Sequence, residues 1–335
     1  MSAPMSAVLA ALWRGGLLES VHTGAVAVCT ADGTLIEGWG EPDRVILPRS
    51  ACKMIQALPL VESGAADAAR LGPEQLALAC ASHVGAAVHT DRVLAWLNSL
   101  GAGEDVLRCG AHDPSDAAAL AALAGGLAGQ RHNNCSGKHA GFVTLSRHLG
   151  AGPEYVEIDH PVQRQVRLTI AEVCGEEPAG YGIDGCSAPN FAVSLRALAA
   201  GVARFAVPET LGDRRGAAAR RLVEAMIAHP LLVAGETRPT TQLMRAAAGR
   251  AAVKSGAEGV FVAILPERGL GLALKVDDGA ERAARAAVAA LLARYGAIDP
   301  LDPAVAILID QPQYNANGRH AATLSAADAL RPSPR

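Results

Sequence analysis

Strand-like segments at both ends of the chain, with helix-like segments between them, are the pattern that most limits how it can fold. Near the N-terminus, two apolar runs at 24–29 and 35–38 flank Asp32-Gly33, a dipeptide that favours the tight turn of a hairpin. Near the C-terminus a comparable pair, 259–265 and 270–276, is joined by Pro266-Glu267-Arg268-Gly269 and followed by an alanine-rich helical run over 280–295. Helices are predicted over 52–63, 74–80, 91–100, 115–127, 138–149, 161–174, 194–204, 214–228 and 240–247, each bounded by Gly, Pro or small polar residues. His89-Thr90-Asp91 is expected to cap the third of these, and the tail after Asp310 reads as an extended segment with a frayed end. Both ends must then supply one antiparallel sheet. The expected architecture is α/β (α+β), a single domain over 1–335 with a mostly helical middle at about 50–250 inserted between sheet-forming ends.

Composition narrows the partners. Half of the residues are apolar and 19% are charged, so a packed core is affordable and disorder is not the main state. The net charge of -3, with four Phe, four Tyr and three Trp, provides neither a basic surface nor stacking platforms for nucleic acid. A small polar substrate fits better. Seven cysteines at irregular spacing do not make a disulfide framework. The apolar stretch 5–13 has no basic segment before it, and no window is long and apolar enough for a membrane span. The reading is therefore a cytoplasmic, reduced protein with no membrane or nucleic-acid partner.

Three polar groupings carry the chemistry. Ser50-Ala51-Cys52-Lys53 places a hydroxyl and an amine at i and i+3 at the start of an apolar helix, where they share a face. A serine hydroxyl needs a neighbouring base, and an unprotonated lysine can serve. A serine cap beside a surface lysine would give the same spacing, but the apolar run from Met54 to Leu60 argues that Lys53 is buried. A second lysine, Lys254, opens Lys254-Ser255-Gly256 ahead of a predicted strand. A Ser-x-x-Lys with a later Lys-Ser/Thr-Gly is the pattern of serine acyl-transfer enzymes.

The second grouping, His132 to His139, has eight residues without an aliphatic side chain, and the third, 182–190, is likewise glycine-rich and carries a cysteine. Cys135 and Cys186 could meet and bind a soft divalent metal such as zinc, with His139 favoured over Lys138 as third ligand because neutral imidazole is available at pH 7. A pair of buried thiols without metal remains open. Ser82 and His83, ending an apolar run, are candidate pocket residues.

Taken together, these segments resemble the L-asparaginase II family of the rhizobial type. The resemblance runs through Arg14-Gly15-Gly16, Pro48-Arg49-Ser50-Ala51 with Lys53, Gln56-Ala57-Leu58-Pro59, Cys80-Ala81-Ser82-His83, Asn134-Cys135-Ser136-Gly137-Lys138-His139, Gly182-Ile183-Asp184-Gly185-Cys186-Ser187-Ala188-Pro189, and Lys254 with Gly256-Ala257-Glu258-Gly259. It implies a fold similar to serine β-lactamases and glutaminases, hydrolysis of L-asparagine to L-aspartate and ammonia, and a homodimer. It implies Ser50 as nucleophile, Lys53 as its base and Lys254 as second active-site lysine. It also implies a Zn2+ held by Cys135, Lys138 and Cys186, which replaces His139 as the expected third ligand. For the substrate, Asp184 is the candidate partner of the α-ammonium, and Arg49, Ser82 and His139 are candidate donors to the α-carboxylate, with His83 beside them. Alternatives are a glutaminase, a broader small-amide amidase, a metal-activated-water amidohydrolase, or a sensor that acylates without turnover. One departure stands out: Val84-Gly85-Ala86 follows Ser82-His83 where the family usually has Asn-Gly-Glu.

Overall fold

The computed structural model describes residues 6–332. The chain divides into two compact units. A sheet unit comprises Met1–Ala51, Val193–Val207 and Gln242–Arg335, and a helical unit comprises Cys52–Ala192 and Pro208–Thr241.

The sheet unit is built on an eight-stranded sheet. Its strands are β1 (Ala7–Arg14), β2 (Leu17–Thr30), β3 (Leu35–Trp39), and, from the distal end of the chain, β7 (Ala252–Gly256), β8 (Val260–Leu265), β9 (Leu270–Val276), β10 (Asp310–Tyr314) and β11 (His320–Ala326). The order is β10-β11-β1-β2-β9-β8-β7, with β3 also on β2, and every pairing is antiparallel. The expected sheet of N- and C-terminal strands is thus observed. The Asp32-Gly33 hairpin closes through Thr30 N–H donating to the Thr34 carbonyl at 3.0 Å, while Asp32 Oδ1 accepts from Thr34 N–H at 3.0 Å. Strand β2 changes neighbour along its length: residues 17–24 pair with β1, and Val26 to Cys29 pair with β3.

Two apolar helices cover this sheet. Helix Glu281–Arg294 buries a run of Ala, Val and Leu, and packs on β1, β8 and β11. Helix Leu195–Ala206, capped by Ser194 accepting from Ala197 N–H at 3.1 Å, packs on β2, β8 and β9. The second helix lies so close that a Cβ at Gly271 would collide with the Ala199 carbonyl and the Ala203 nitrogen. Only glycine permits that approach. Also in this unit, β4 (Val45–Ile46) pairs with the end of β6 (Pro189–Ser194) at Val193 and Ser194.

The helical unit contains helices Lys53–Glu62, Pro73–Ala79, Ala87–Ser99, Ser136–His148, Pro161–Cys174, Asp213–Ala228 and several shorter ones. It also holds a small hairpin, in which β5 (Gly180–Ile183) pairs with the beginning of β6. Pro161 opens its helix and Gly175, at φ +71°, closes it where the sequence predicts.

Several expectations need correction. The apolar stretch 5–13 contains a strand, β1, between β11 and β2, and the extended tail after Asp310 is paired as a hairpin, β10–β11. The frayed end expected at Ser333 and Pro334 lies outside the described residues. Helix Ala87–Ser99 begins upstream of His89-Thr90-Asp91, which therefore lie inside it and do not cap it. Lys254 to Gly256 do precede the predicted strand, β8, and themselves end a further strand, β7. Among the described residues, no helix is long and apolar enough to cross a membrane.

Candidate active site

In the sheet unit, the chain turns at Pro48 and enters a 3-10 turn, Arg49–Cys52, that carries Ser50. Arg49 adopts φ +52°, a left-handed conformation unusual for a side chain with a Cβ, and such strain collects at functional sites. Gly256 at the end of β7 lies against this turn: a Cβ there would sit 2.7 Å from the Pro48 carbonyl and 3.1 Å from the Ala51 nitrogen. Lys254, two residues earlier on the same strand, shares the face of Gly256. It is fully buried, and its amine donates to the Ser255 carbonyl at 2.7 Å. One face of β7 thus carries both Lys254 and the residue against which the Ser50 turn packs. The chain passes from one unit to the other within the Ser-x-x-Lys motif, between Ala51 and Cys52.

In the helical unit, Lys53 opens helix Lys53–Glu62, whose first nine residues are all buried. The Lys53 nitrogen lies within hydrogen-bond distance of the Ala81 carbonyl, of Ser82 Oγ at 3.0 Å and of Cys135 Sγ at 3.1 Å. Among the described residues it makes no ion pair with a carboxylate. The sequence places Ser82 near a pocket but does not reveal that its hydroxyl reaches Lys53. Ser82 is held from behind, its N–H donating to the Val233 carbonyl at 2.9 Å.

A second cluster surrounds Cys186. Lys138, in the first turn of helix Ser136–His148, donates to Cys186 Sγ at 3.1 Å, and Cys135 hydrogen-bonds to the same sulfur. The Cys135 S–H and the Lys138 ammonium hold Cys186 as thiolate despite its burial, far below the ordinary thiol range. That hydrogen bond and burial push Cys135 the other way, so it keeps its proton. Burial lowers the affinity of Lys138 for its proton, but Cys186 and Cys135 outweigh it and keep the ammonium charged well above the usual lysine range. His139 is fully buried, with Nδ1 3.0 Å from the Tyr155 hydroxyl. Burial pulls its pKa down to about 4 against the attraction of Cys186. Tyr155, which the sequence reading passes over, donates to His139 and accepts the Arg108 N–H at 2.7 Å.

The remaining candidates take varied positions. Asp184 lies at the tip of the β5–β6 hairpin, half-exposed, with Oδ1 accepting the Gly185 N–H at 2.9 Å and its field reaching Lys138. Ser187 beside Cys186 has φ +68°, so this tip is tightly wound. His83 is buried, and both ring nitrogens are engaged by protein groups, Gly85 N–H and Ser136 Oγ. His139 is likewise enclosed. At the departure from the family pattern, Val84 is buried against Gly235, and Gly85 at φ +73° is pressed against Pro114 and the His132 carbonyl. Packing sets that segment, and it presents no carboxylate.

The zinc expected from the resemblance is overturned. Among the described residues no group of three or more His, Cys, Asp or Glu side chains is placed to hold a metal ion. The third expected ligand, Lys138, instead donates to Cys186 Sγ at 3.1 Å. The donor set does not suit a divalent cation, so the zinc-containing and metal-binding description is withdrawn. The cluster is instead charge-balanced by its own amine and thiolate.

The family model described as L-asparaginase II matches residues 10–326. No match was found among curated proteins. Among solved structures, the chain is similar to Mglu in its native form, at 17% identity and a TM-score of 0.45, over 78% of this chain and 61% of that one. It is also similar to a β-lactamase from Mycobacterium bovis, at 16% identity and a TM-score of 0.46, over 81% of this chain and 94% of that one. The chain therefore spans about three fifths of the length of Mglu. At these scores neither structure fixes the activity of this one.

Proposed function

Because the chain belongs to the L-asparaginase II family, and with it to the amidohydrolases, we propose that it hydrolyses the side-chain amide of a small amino acid, with asparagine as substrate. The observation that carries this reading is the buried Lys53 amine, three residues after Ser50, bonded to the Ser82 hydroxyl and to no carboxylate. Ser50 Oγ attacks the amide carbon while Lys53 takes its proton, and Lys254 is the second active-site lysine. Backbone N–H groups at the 3-10 turn stabilise the oxyanion. The C–N bond breaks, the nitrogen leaves as ammonia with the proton returned by Lys53, and a β-aspartyl ester remains. Water then attacks the ester carbon and gives a proton to Lys53, the bond between the acyl carbon and Ser50 Oγ breaks as Lys53 returns that proton to Oγ, and aspartate departs. Arg49 and Ser82 bind the α-carboxylate, and Asp184 binds the α-ammonium.

A second reading concerns the nucleophile, because Ser82 is the hydroxyl that Lys53 touches. Trapping the acyl-enzyme with a slow ester substrate and mapping the added mass separates the two. Mass on Ser50, with Ser50→Ala inactive, supports the reading, and mass on Ser82 with an active Ser50→Ala protein reassigns it. Glutamine is the competing substrate: one methylene in a tight pocket is worth about 1–3 kcal/mol, so kcat/KM for the two amides decides. An enzyme at least tenfold faster on glutamine is a glutaminase. A stoichiometric burst without steady ammonia release would instead make the protein a sensor. The family's homodimer and a cytoplasmic location belong to the same proposal, the first tested by sedimentation of the purified protein.

A further inference from the structure

His83 lies one residue from Ser82, and Ser136 lies one residue from Cys135. Ser82 and Cys135 are the two side chains that flank the Lys53 amine, at 3.0 Å and 3.1 Å. His83 Nε2 and Ser136 Oγ are 2.9 Å apart and both residues are buried. The hydrogen bond between them therefore joins, at the next residue on each side, the two loops that hold the lysine. Backbone bonding reinforces it, with His83 N–H donating to the Asn134 carbonyl at 3.1 Å.

The direction of every proton in this bridge follows from its partners. Gly85 N–H can only donate, and it points at His83 Nδ1 at 3.1 Å, so Nδ1 is bare. The ring proton is on Nε2 and is donated to Ser136 Oγ. The Ser136 hydroxyl then donates to the Arg131 carbonyl at 2.9 Å. The ring is also stacked on His89, with centroids 4.8 Å apart and planes 9° from parallel. His89 donates from Nε2 to the Leu231 carbonyl at 3.0 Å. A second proton on His83 would be buried away from water, would face His89 and Lys53, and would oppose Gly85 N–H donor to donor. The ring is a neutral, one-way brace.

We infer that His83, through its Nε2–H bond to Ser136, is a positioning residue that sets Ser82 and Cys135 around the Lys53 amine. It does not bind substrate. Losing the brace lets the two loops separate, and a misplacement of about 1 Å at a catalytic group costs about 100-fold in rate. This inference rests on the amidohydrolase reading, with Lys53 as the base.

The test compares Ser136→Ala, which deletes one oxygen, with His83→Asn, which loses the Nε2 donor, and His83→Gln, whose amide can reproduce it. For Ser136→Ala and His83→Asn, kcat for amide hydrolysis should fall about 100-fold with KM unchanged, His83→Gln should recover most of the loss, and the double variant should be no worse than the worse single. Unchanged kcat in Ser136→Ala overturns the inference, as does a loss seen only as a lower Tm with normal turnover per folded molecule. A rise in KM alone restores His83 to the substrate surface and overturns it too. If the wild type hydrolyses neither amide, the functional reading fails instead. The rate of serine labelling by a fluorophosphonate then reads the placement of Lys53, and equal labelling of wild type and Ser136→Ala overturns the brace.

Discussion

Lys53 and Lys138 make an instructive pair within the helical unit. Each lies in the first turn of a buried helix and each donates to a cysteine sulfur at 3.1 Å. The difference is in the sulfur. Cys186 is a thiolate and locks Lys138 into an ion pair, whereas Cys135 keeps its proton and leaves Lys53 among neutral acceptors, a carbonyl, a hydroxyl and a thiol. Residue types and spacing are alike, and yet one amine is committed to holding two loops together while the other is placed to exchange a proton with a hydroxyl. Lysine chemistry is decided by the protonation state of the partner, which a one-dimensional motif does not record.

The contrast is broken most directly at Lys53. Replacing it with methionine should reduce amide turnover by about 10²–10⁴-fold, the range of a general base, with little change in Tm; a variant that keeps wild-type kcat would remove Lys53 from the chemistry. Lys138→Met should show the opposite profile. Removing one partner of a buried ion pair costs about 3–5 kcal/mol, so chemical denaturation should expose a large loss of stability, and a normal midpoint would mean that Cys186 is not held as a thiolate. Gly256→Ala offers an intermediate case, since its Cβ would press on the turn that carries Ser50. Forcing that turn to move should cost about 1–3 kcal/mol and a larger share of kcat than of stability, which paired kinetics and melting would resolve.

Smaller effects sharpen the comparison. Tyr155→Phe removes the hydroxyl that bonds the buried His139 imidazole and the Arg108 N–H and should cost about 1–3 kcal/mol, measured by urea unfolding, with kcat preserved. The pH dependence comes chiefly from His83, His89 and His139, all held neutral in the fold by burial. Their folded pKa values lie below the usual 6.5, so the unfolded chain binds more protons as pH falls. Stability from this source is complete above about pH 6.5 and declines below it. A flat urea midpoint between pH 7 and pH 5 would contradict it.

Much of the fold was legible because its signals are local. Pro161 and Gly175 bracket their helix, Asp32-Gly33 makes its hairpin, and the two apolar runs on either side of Pro266 to Gly269 identify β8 and β9. Strand β1 was missed, and β10 and β11 were read only as an extended tail, because β1 and β11 pair across more than 300 residues and β10 is held in the sheet only through β11; strand formation depends on such pairing more than on propensity. At the site, the spacing of Ser50, Lys53 and Lys254 and the meeting of Cys135 with Cys186 could be anticipated from residue type. The Ser82–Lys53 bond, the role of Tyr155 and the enclosure of His83 and His139 could not, since they depend on which loops converge. The zinc expectation failed on convergence: the motifs bring Cys135 and Cys186 together, but among the described residues no third His, Cys, Asp or Glu joins them to hold a metal ion.

The β10 edge of the large sheet also has a consequence for assembly. Strand β10 is five residues long and has Pro312 at its centre, so the outermost strand lacks a continuous row of N–H donors. A sheet that ends in such a strand resists being lengthened by a strand from another molecule. Association at that border must therefore be recognised through side chains on a face, where shape and charge can discriminate, and not through backbone pairing, which accepts almost any extended sequence.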